Sequence, residues 1–308
     1  MKPSERKDST ASVQPTADTF PANELRESIV LPPPPVEAVS PRRIRRRYGR
    51  PDMEFVQARA ARLLVNAAET FPAMLAAIDA AVDRVDLETY TLRDDSTGRT
   101  FQQAMIRAAL RGVRVRLLYD WIGSFALARP FVGELLEAGV KVAVYHPLLV
   151  RRPVWALNRR DHRKISIPSK PVRRALIKAA RRGVFVGVVV TTHSDVPITA
   201  CATRWLYDEL LAGGVRLFEW PDSVMHAKTA VVDDAWSIIG SYNFDHRSLF
   251  HQLECVAVIA DTAFAVEVRE QILADLARCR EVSLQTHRRR PWWRKAVEFA
   301  AFLLRHWL

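Results

Sequence analysis

The residues with the clearest chemical potential are His226 and Lys228, which stand two positions apart in a stretch that alternates apolar and polar residues. Side chains two residues apart on a β-strand project from the same face. A neutral imidazole can attack phosphorus, and an ammonium group beside it offsets negative charge on the phosphate oxygens. The pair therefore predicts a site that acts on a phosphodiester through a covalent phosphohistidine.

Further polar residues follow this pair at spacings that extend the same chemistry. Asn243 can donate a hydrogen bond to a phosphate oxygen, and Glu254 can hold the second imidazole nitrogen and so fix the tautomer. A lone His-x-Lys is weak evidence, and the alternative interpretation is a polar edge strand. Such a strand would not explain why these residues follow in order: Asp233, Gly240, Ser241, Asn243 and Glu254.

The elements that position these residues follow an α/β pattern from residue 51 onward. Apolar residues at Met74, Leu75, Ile78 and Val82 predict an amphipathic helix that opens at Thr70. Helices ended by glycine and followed by β-branched runs are typical of sheets fed by crossover helices. The sequence predicts further helices over 100–111 and 131–138, and strands over 85–90, 113–119, 140–145, 228–232 and 236–239.

The pattern repeats within the chain, which predicts two similar halves. The alternative is that two ordinary helix–glycine–strand units resemble each other by chance. Three pairs of segments match: Ala104–Val115 with Ala175–Val186, Leu135–Val140 with Leu210–Val215, and His162–Lys164 with His226–Lys228.

The two halves are unequal in length. The chain continues for dozens of residues after His226, but after His162 it meets the next repeat's helix near Lys170. The strand that corresponds to residues 85–90 should fall near residues 156–163, where the first His motif stands instead. The end of the first half and the beginning of the second are therefore expected to be missing.

The motif H-x-K-x4-D with G-S-x-N resembles that of the phospholipase D superfamily, which normally carries it twice. Within the superfamily the chain resembles bacterial cardiolipin synthases of the B type over about residues 55–285. The stretches that carry the resemblance are Leu87–Gly98, Arg111–Ser124, Asn158–Lys164 and His226–Leu249.

This resemblance implies an α/β fold of two pseudo-repeated halves, each a mixed sheet flanked by helices, with the first half truncated. It implies a phosphatidyl transferase that acts on phosphatidylglycerol through a phosphatidyl-histidine, without a metal or cofactor. The implied catalytic residues are His226, Lys228, Asp233, His162 and Lys164, with Ser241 and Asn243 on the phosphate and Glu254 orienting. Asp233 is expected to serve the structure of the motif.

The chain departs from the family pattern at the first motif. Ser169 stands where Asp233 has its equivalent, and no Gly-Ser-x-Asn follows. This predicts an internal deletion with its junction near Ile165 to Ile167, which leaves His162 and Lys164 without a complete strand. Single-motif members of the superfamily pair two copies about a twofold axis, so a homodimer is an expected partner arrangement.

Composition indicates an anionic partner. The net charge is +12 and the pI is near 10.1, which suits anionic lipid or nucleic acid. The basic residues cluster in the tails without interleaved stacking aromatics, so a lipid surface is expected rather than nucleic acid.

Three cysteines without metal spacing indicate reduced thiols in a cytosolic compartment. Alternatives of different class are a phosphodiesterase or nuclease of the same superfamily and a non-catalytic membrane-binding remnant.

The two ends of the chain differ from its middle. Residues 1–50 are rich in proline and arginine and are predicted to be disordered, either as a solvated linker or as a contact for an anionic surface. Residues 51–165 and 166–285 form the two halves. Residues 286–308 join basic residues and tryptophans to an apolar helix, which predicts an interfacial membrane anchor. The resemblance implies that this membrane is a bacterial inner membrane, bound on its cytoplasmic side. The alternative for this tail is a helix packed on the core.

Overall fold

Three small sheets and their flanking helices make up the part of the chain that the computed structural model describes: residues 40–49, 54–145, 169–192, 197–221, 225–242 and 254–304. The helices are α1 (Pro41–Tyr48), α2 (Asn66–Ala80), α3 (Ser96–Leu110), α4 (Arg129–Glu137), α5 (Lys170–Arg181), α6 (Pro197–Trp205), α7 (Tyr207–Ala212), α8 (Thr262–Leu276), α9 (Leu284–Arg288) and α10 (Trp292–Leu303). The strands are β1 (Arg84–Thr89), β2 (Arg114–Asp120), β3 (Lys141–Tyr145), β4 (Gly187–Thr191), β5 (Arg216–Trp220), β6 (Thr229–Val232), β7 (Trp236–Gly240), β8 (Val256–Ile259) and β9 (Arg280–Glu281).

The first half contains a parallel sheet in the order β1-β2-β3. Alternate residues of β2 are buried, and they meet α3 and α4 in a core centred on Met105, Leu117 and Phe131. Gly112 and Gly139 have positive φ where α3 and α4 give way to strands, a conformation that glycine adopts without strain. The predicted helix–glycine–strand order is confirmed here to within a few residues.

The first helix of this half differs from the prediction at both ends. α2 begins at Asn66 rather than Thr70, and Pro72 lies inside it. The helix ends at Ala80, so Val82 lies beyond it and is 91% exposed. The apolar periodicity therefore held for Ile78 but failed for Val82, because the chain leaves the helix before reaching it.

The second half repeats this arrangement and then extends it. β4 and β5 are parallel, like β2 and β3, and β9 adds antiparallel to β5. A further antiparallel sheet, β6-β7-β8, packs against α8. Within residues 54–145 the first half has no antiparallel sheet of this kind. The expected counterpart of β1 in the second half would lie in residues 146–168, outside the described part.

The end of the N-terminal tail is helical, which corrects the prediction of disorder up to residue 50. α1 is capped by the Ser40 side chain, and Ile44 is buried against Ala235 and Trp236. Burial of one isoleucine contributes about 2 kcal/mol. The exposed ion pair between Arg47 and Asp233 contributes roughly 1 kcal/mol or less. Ile44 therefore anchors this helix, and residues 1–39 lie outside the described part.

The C-terminal segment packs on the second half along one side of α10. Trp205 of α6 contacts Phe299 and Phe302, with ring centroids 4.8 Å and 6.5 Å apart. The predicted tail over 286–308 thus has one face on the core, which is the alternative left open for it. Among the described helices, none is long and apolar enough to cross a membrane.

A buried histidine joins this segment to α7. His287 packs on the ring of Tyr207 with centroids 5.3 Å apart, and its Nε2 atom is buried without a hydrogen-bond partner among the described residues. Arg290 donates to the His287 carbonyl at 2.5 Å and to Glu298 of α10 at 2.7 Å. Burial, followed by the charge of Arg290, lowers the pKa of His287 from 6.5 to about 4.

The depressed pKa of His287 predicts that acid weakens the second half. Because the folded protein holds this imidazole neutral, its contribution is complete above pH 6.5 and is lost as the pH falls toward about 4. The loss should amount to a few kcal/mol at most. The His287→Phe variant keeps an aromatic ring on Tyr207. Its free energy of unfolding, measured in urea, should lack this part of the pH dependence. The same slope in His287→Phe and in the native protein would contradict the assignment, and substitution of the exposed His226 is the control.

Candidate functional site

The antiparallel hairpin of β6 and β7 positions the His-x-Lys motif. The ladder extends one residue beyond β6, because the Gly240 amide donates to the Lys228 carbonyl at 3.2 Å. Lys228 therefore lies opposite Gly240, and alternation places His226 and Lys228 on one face at the open end of the hairpin. The strands predicted at 228–232 and 236–239 are confirmed.

The lysine side chain turns back toward the histidine. Lys228 Nζ donates to the His226 backbone carbonyl at 2.7 Å, so the ammonium group is held beside this residue. The His226 side chain is exposed and Lys228 is half-buried. An exposed imidazole next to a fixed positive charge can approach the phosphorus of an anionic phosphodiester, and the ammonium group can offset the charge that develops.

Gly240 allows the backbones at this site to come close together. A Cβ atom there would lie 2.6 Å from Val256 Cα and would also overlap the Cys255 carbonyl oxygen. No larger residue fits without moving β8. This close approach explains the glycine of the Gly-Ser-x-Asn motif as a packing requirement of the hairpin.

Ser241 continues the same contact with β8. Its amide donates to the Cys255 carbonyl at 2.9 Å, and its hydroxyl accepts from the Cys255 amide at 3.0 Å and donates to the Cys255 carbonyl at 3.3 Å. The hydroxyl is thus used by the backbone of the neighbouring strand. This geometry favours a structural clamp over the phosphate-binding role expected for Ser241.

Glu254 immediately precedes this clamp. Its Oε1 atom is buried and has no hydrogen-bond partner among the described residues. No hydrogen bond joins it to His226 within the described part of the chain, so its orienting role stays a prediction.

The two aspartates of the motif form the turn at the far end of the hairpin. Asp233 and Asp234 both have positive φ, 50° and 49°, a conformation that aspartate tolerates better than most residues. Asp233 pairs with the exposed Arg47 of α1 at 3.4 Å, and Asp234 with Arg269 of α8 at 3.5 Å. The placement of Asp233, seven residues from His226 along an extended chain, supports the structural role expected for it.

The Asp234–Arg269 pair was not found from the sequence. Both side chains are largely buried, and burial raises the pKa of Asp234 while Arg269 opposes that rise. The pair ties the hairpin to α8, and so fixes the sheet that carries the motif. The available signal was an arginine next to Val268, on the side of α8 that the structure buries.

Three of the expected site residues lie outside the described part of the chain: His162, Lys164 and Asn243. The structure therefore brings together His226, Lys228, Gly240 and Ser241 and leaves the first motif undefined. Within the described ranges, no group of histidines, cysteines and carboxylates could hold a metal ion.

Comparison with known families identifies the class of protein. The family described as cardiolipin synthase, PLD-like domain, matches twice, over residues 74–168 and 156–276. These matches cover more than half of the chain, so the chain belongs to this family of phospholipase D-like proteins. The two matches confirm the pseudo-repeated halves inferred from the internal repeat.

Particular relatives are cardiolipin synthases of bacteria. Cardiolipin synthase B of Salmonella typhi and that of Escherichia coli K12 are each 26% identical over 363 residues, covering 79% of this chain and 87% of theirs. Minor cardiolipin synthase ClsB of Bacillus subtilis is 35% identical over 142 residues, 46% of this chain and 36% of that protein.

The lengths of these matches support the predicted internal deletion. The alignment with cardiolipin synthase B runs over 363 positions, yet 79% of 308 residues is about 243, so about 120 positions have no residue in this chain. Residues 156–168 belong to both family matches, as the end of one copy and the start of the next. This overlap brackets the junction predicted near Ile165 to Ile167.

Three solved structures also match parts of this chain. NucT from Helicobacter pylori is 14% identical with a TM-score of 0.24, over 69% of this chain and 90% of that one. Nuc from Salmonella typhimurium, a phospholipase D family member, is 15% identical with a TM-score of 0.23 over the same shares. Polyphosphate kinase from Porphyromonas gingivalis is 13% identical with a TM-score of 0.40, over 65% and 44%.

Two glycine substitutions test the close approach at the hairpin. Gly240→Ala should lower the free energy of unfolding by roughly 2 kcal/mol or more, because the added methyl group overlaps β8. Gly133→Ala in α4 is the matched control: its added methyl group meets nothing within 4 Å, and it should stabilise by up to about 1 kcal/mol. Urea unfolding of both variants measures the difference. Equal effects of the same sign would show that Gly240 has no special packing role.

Proposed function

We propose that this chain is a phosphatidyl transferase of the cardiolipin synthase type that acts on phosphatidylglycerol. A nitrogen of His226 attacks phosphorus, forming a phosphatidyl-histidine as the bond to the glycerol leaving group breaks. The hydroxyl of a second phosphatidylglycerol then attacks the same phosphorus and breaks the P–N bond. The products are cardiolipin and glycerol, so protons and phosphodiester bonds balance.

The placement of His226 and Lys228 carries the proposal. Both lie on one face at the open end of the hairpin, with the ammonium group held 2.7 Å from the His226 carbonyl. Lys228 would offset charge on the phosphate oxygens in the crowded transition state. Asn243 and Glu254 follow in the sequence, and we assign them to phosphate binding and to orientation of the imidazole.

The proton transfers require a second acid and base. In the proposed reaction His162 would protonate the leaving glycerol and then accept the proton of the incoming hydroxyl, with Lys164 beside it. The deletion removes the residues that normally follow this motif. We therefore infer that a homodimer supplies the second histidine as another copy of His226, in an isologous arrangement.

The proposed site of action is the cytoplasmic surface of a bacterial inner membrane, where phosphatidylglycerol is available. Membership in the cardiolipin synthase family supports a lipid substrate. The net charge of +12 supports attraction to anionic headgroups. DNA, another anionic phosphodiester, is the competing substrate against which lipid is tested.

The first test concerns the nucleophile and uses a version of the chain in which the missing segment is restored from a relative. His226→Ala should lower cardiolipin formation from labelled phosphatidylglycerol by roughly 10³-fold or more, because the substitution removes the proposed nucleophile. Lys228→Ala should also reduce turnover, whereas Lys141→Ala, at an exposed lysine of β3, is the control. Thin-layer separation of the products gives the readout, with circular dichroism to verify folding. Turnover near the native level in His226→Ala, or hydrolysis of DNA alone, would overturn the proposal.

The second test concerns the chain as it stands. Its activity should be low and should rise with protein concentration as dimers form. His162→Ala should leave that activity unchanged and His226→Ala should remove it. Light scattering run beside the transferase assay gives the state of association. An active monomer that loses its activity in His162→Ala would show that the first motif still works within one chain.

A further inference from the structure

The outward side of α10 carries apolar side chains only. Two alanines, Ala296 and Ala300, are exposed there. The larger members are Trp292 (80% exposed), Trp293 (52%), Val297 (53%), Phe299 (44%), Leu303 (55%) and Leu304 (47%). These eight residues are called the α10 outer face. Since 3.6 residues make one turn, they cover an arc of roughly 160°.

α10 is apolar toward water as well as toward the core, where Ala301 and Phe302 join the cluster around Ala202 and Leu206. Its acidic residue, Glu298, points inward, where it is buried and pairs with Arg290 at 2.7 Å. Ala301 is buried on the same inner side. A surface helix normally turns its apolar stripe to the core and its charges to solvent. Here the inner side is fixed by an ion pair and by Trp205, and the apolar arc is turned outward.

Positive charges border the α10 outer face. Arg294 and Lys295 lie on either side of the apolar arc, and Arg289 precedes the helix. Arg288, one residue earlier, pairs with Asp208 at 2.7 Å. The Arg294 guanidinium lies 5.2 Å from the centroid of the Trp293 ring. Tryptophans at the rim of an apolar face, with basic residues beside them, match the boundary between lipid headgroups and acyl chains.

We propose that the α10 outer face binds the surface of an anionic lipid bilayer, with the helix lying in the plane of the headgroups. The apolar arc would enter the headgroup and acyl boundary, and the basic border would pair with lipid phosphates. A second copy of this chain is the poorer occupant, because the same face meeting itself would bring its positive borders together.

The packing of α10 makes this a formed surface. Its contacts with Trp205 and the Arg290–Glu298 pair hold the helix on the second half, so binding would not require folding of a loose tail. The inference rests on the proposed function for the identity of the lipid, and it adds how the second half would face the membrane. The test measures binding to vesicles and does not depend on catalytic turnover. A failure of this inference can therefore be distinguished from a failure of the proposed chemistry.

The experiment compares two pairs of substitutions at exposed apolar positions of the full chain. Val297→Glu with Leu303→Glu places two charges on the α10 outer face. Val82→Glu with Leu110→Glu places the same charges at positions that are 91% and 74% exposed in the first half. Sedimentation uses phosphatidylcholine vesicles with and without phosphatidylglycerol, at low and high salt. The first pair should weaken binding to anionic vesicles by about tenfold or more, and the control pair by less than about twofold.

The remaining measurements decide whether lipid or a second copy of the chain binds the α10 outer face. Binding of the native chain should fall with added salt and without phosphatidylglycerol, because the border acts through charge. Equal binding by the two substituted pairs would overturn the proposal. Light scattering in the absence of vesicles is the last arm: a dimer that the first pair dissociates, with vesicle binding unchanged, would assign the face to self-association instead.

Discussion

The close contact between β7 and β8 at Gly240 is the constraint on which the candidate site depends. The Gly240 amide also bonds the Lys228 carbonyl, so one residue joins the strand that carries the motif to the strand that follows Glu254. Ser241 closes the next step of the ladder with three bonds to Cys255. A side chain at Gly240 would separate these strands and with them the residues proposed to act on one phosphate.

The hairpin is also held from its two other sides. α8 ties the turn through the largely buried Asp234–Arg269 pair, and α1 buries Ile44 on Trp236 at the same end. The turn end is thus anchored by packing and charge, while His226 stands exposed at the open end. This division is usual for functional groups placed on a rigid scaffold: the packed end is stable, and the open end is accessible to substrate.

The internal deletion affects the fold of the first half less than it affects the chemistry expected of that half. The first half keeps its parallel sheet and its own core around Met105 and Phe131, so it can fold without the residues it has lost. What it lacks, within residues 54–145, is an antiparallel hairpin like the one that presents His226. A fold assembled from repeats can lose a segment and retain a core, because each unit buries its own apolar face. The expected chemistry of such a protein is more sensitive to the loss of a segment than its fold, since the family normally uses two motifs on one phosphate.

The sequence by itself determined the local order of helices, glycines and strands, the repeat, and the pairing of His226 with Lys228 on one face. The helices follow from an apolar period of 3.6 residues, the strands from a period of two, and the helix ends from the backbone conformations that glycine tolerates. All three act between residues that are close in the sequence. Only the tertiary structure decided that residues 41–48 are helical, that Val82 is exposed, that the Ser241 hydroxyl bonds Cys255 and that Glu298 points inward. Three of these depend on a partner elsewhere in the chain: Trp236 for Ile44, Cys255 for Ser241, and Arg290 for Glu298. Val82 is exposed because α2 ends at Ala80. Local patterns carry no information about such partners, because burial is settled by which surfaces meet.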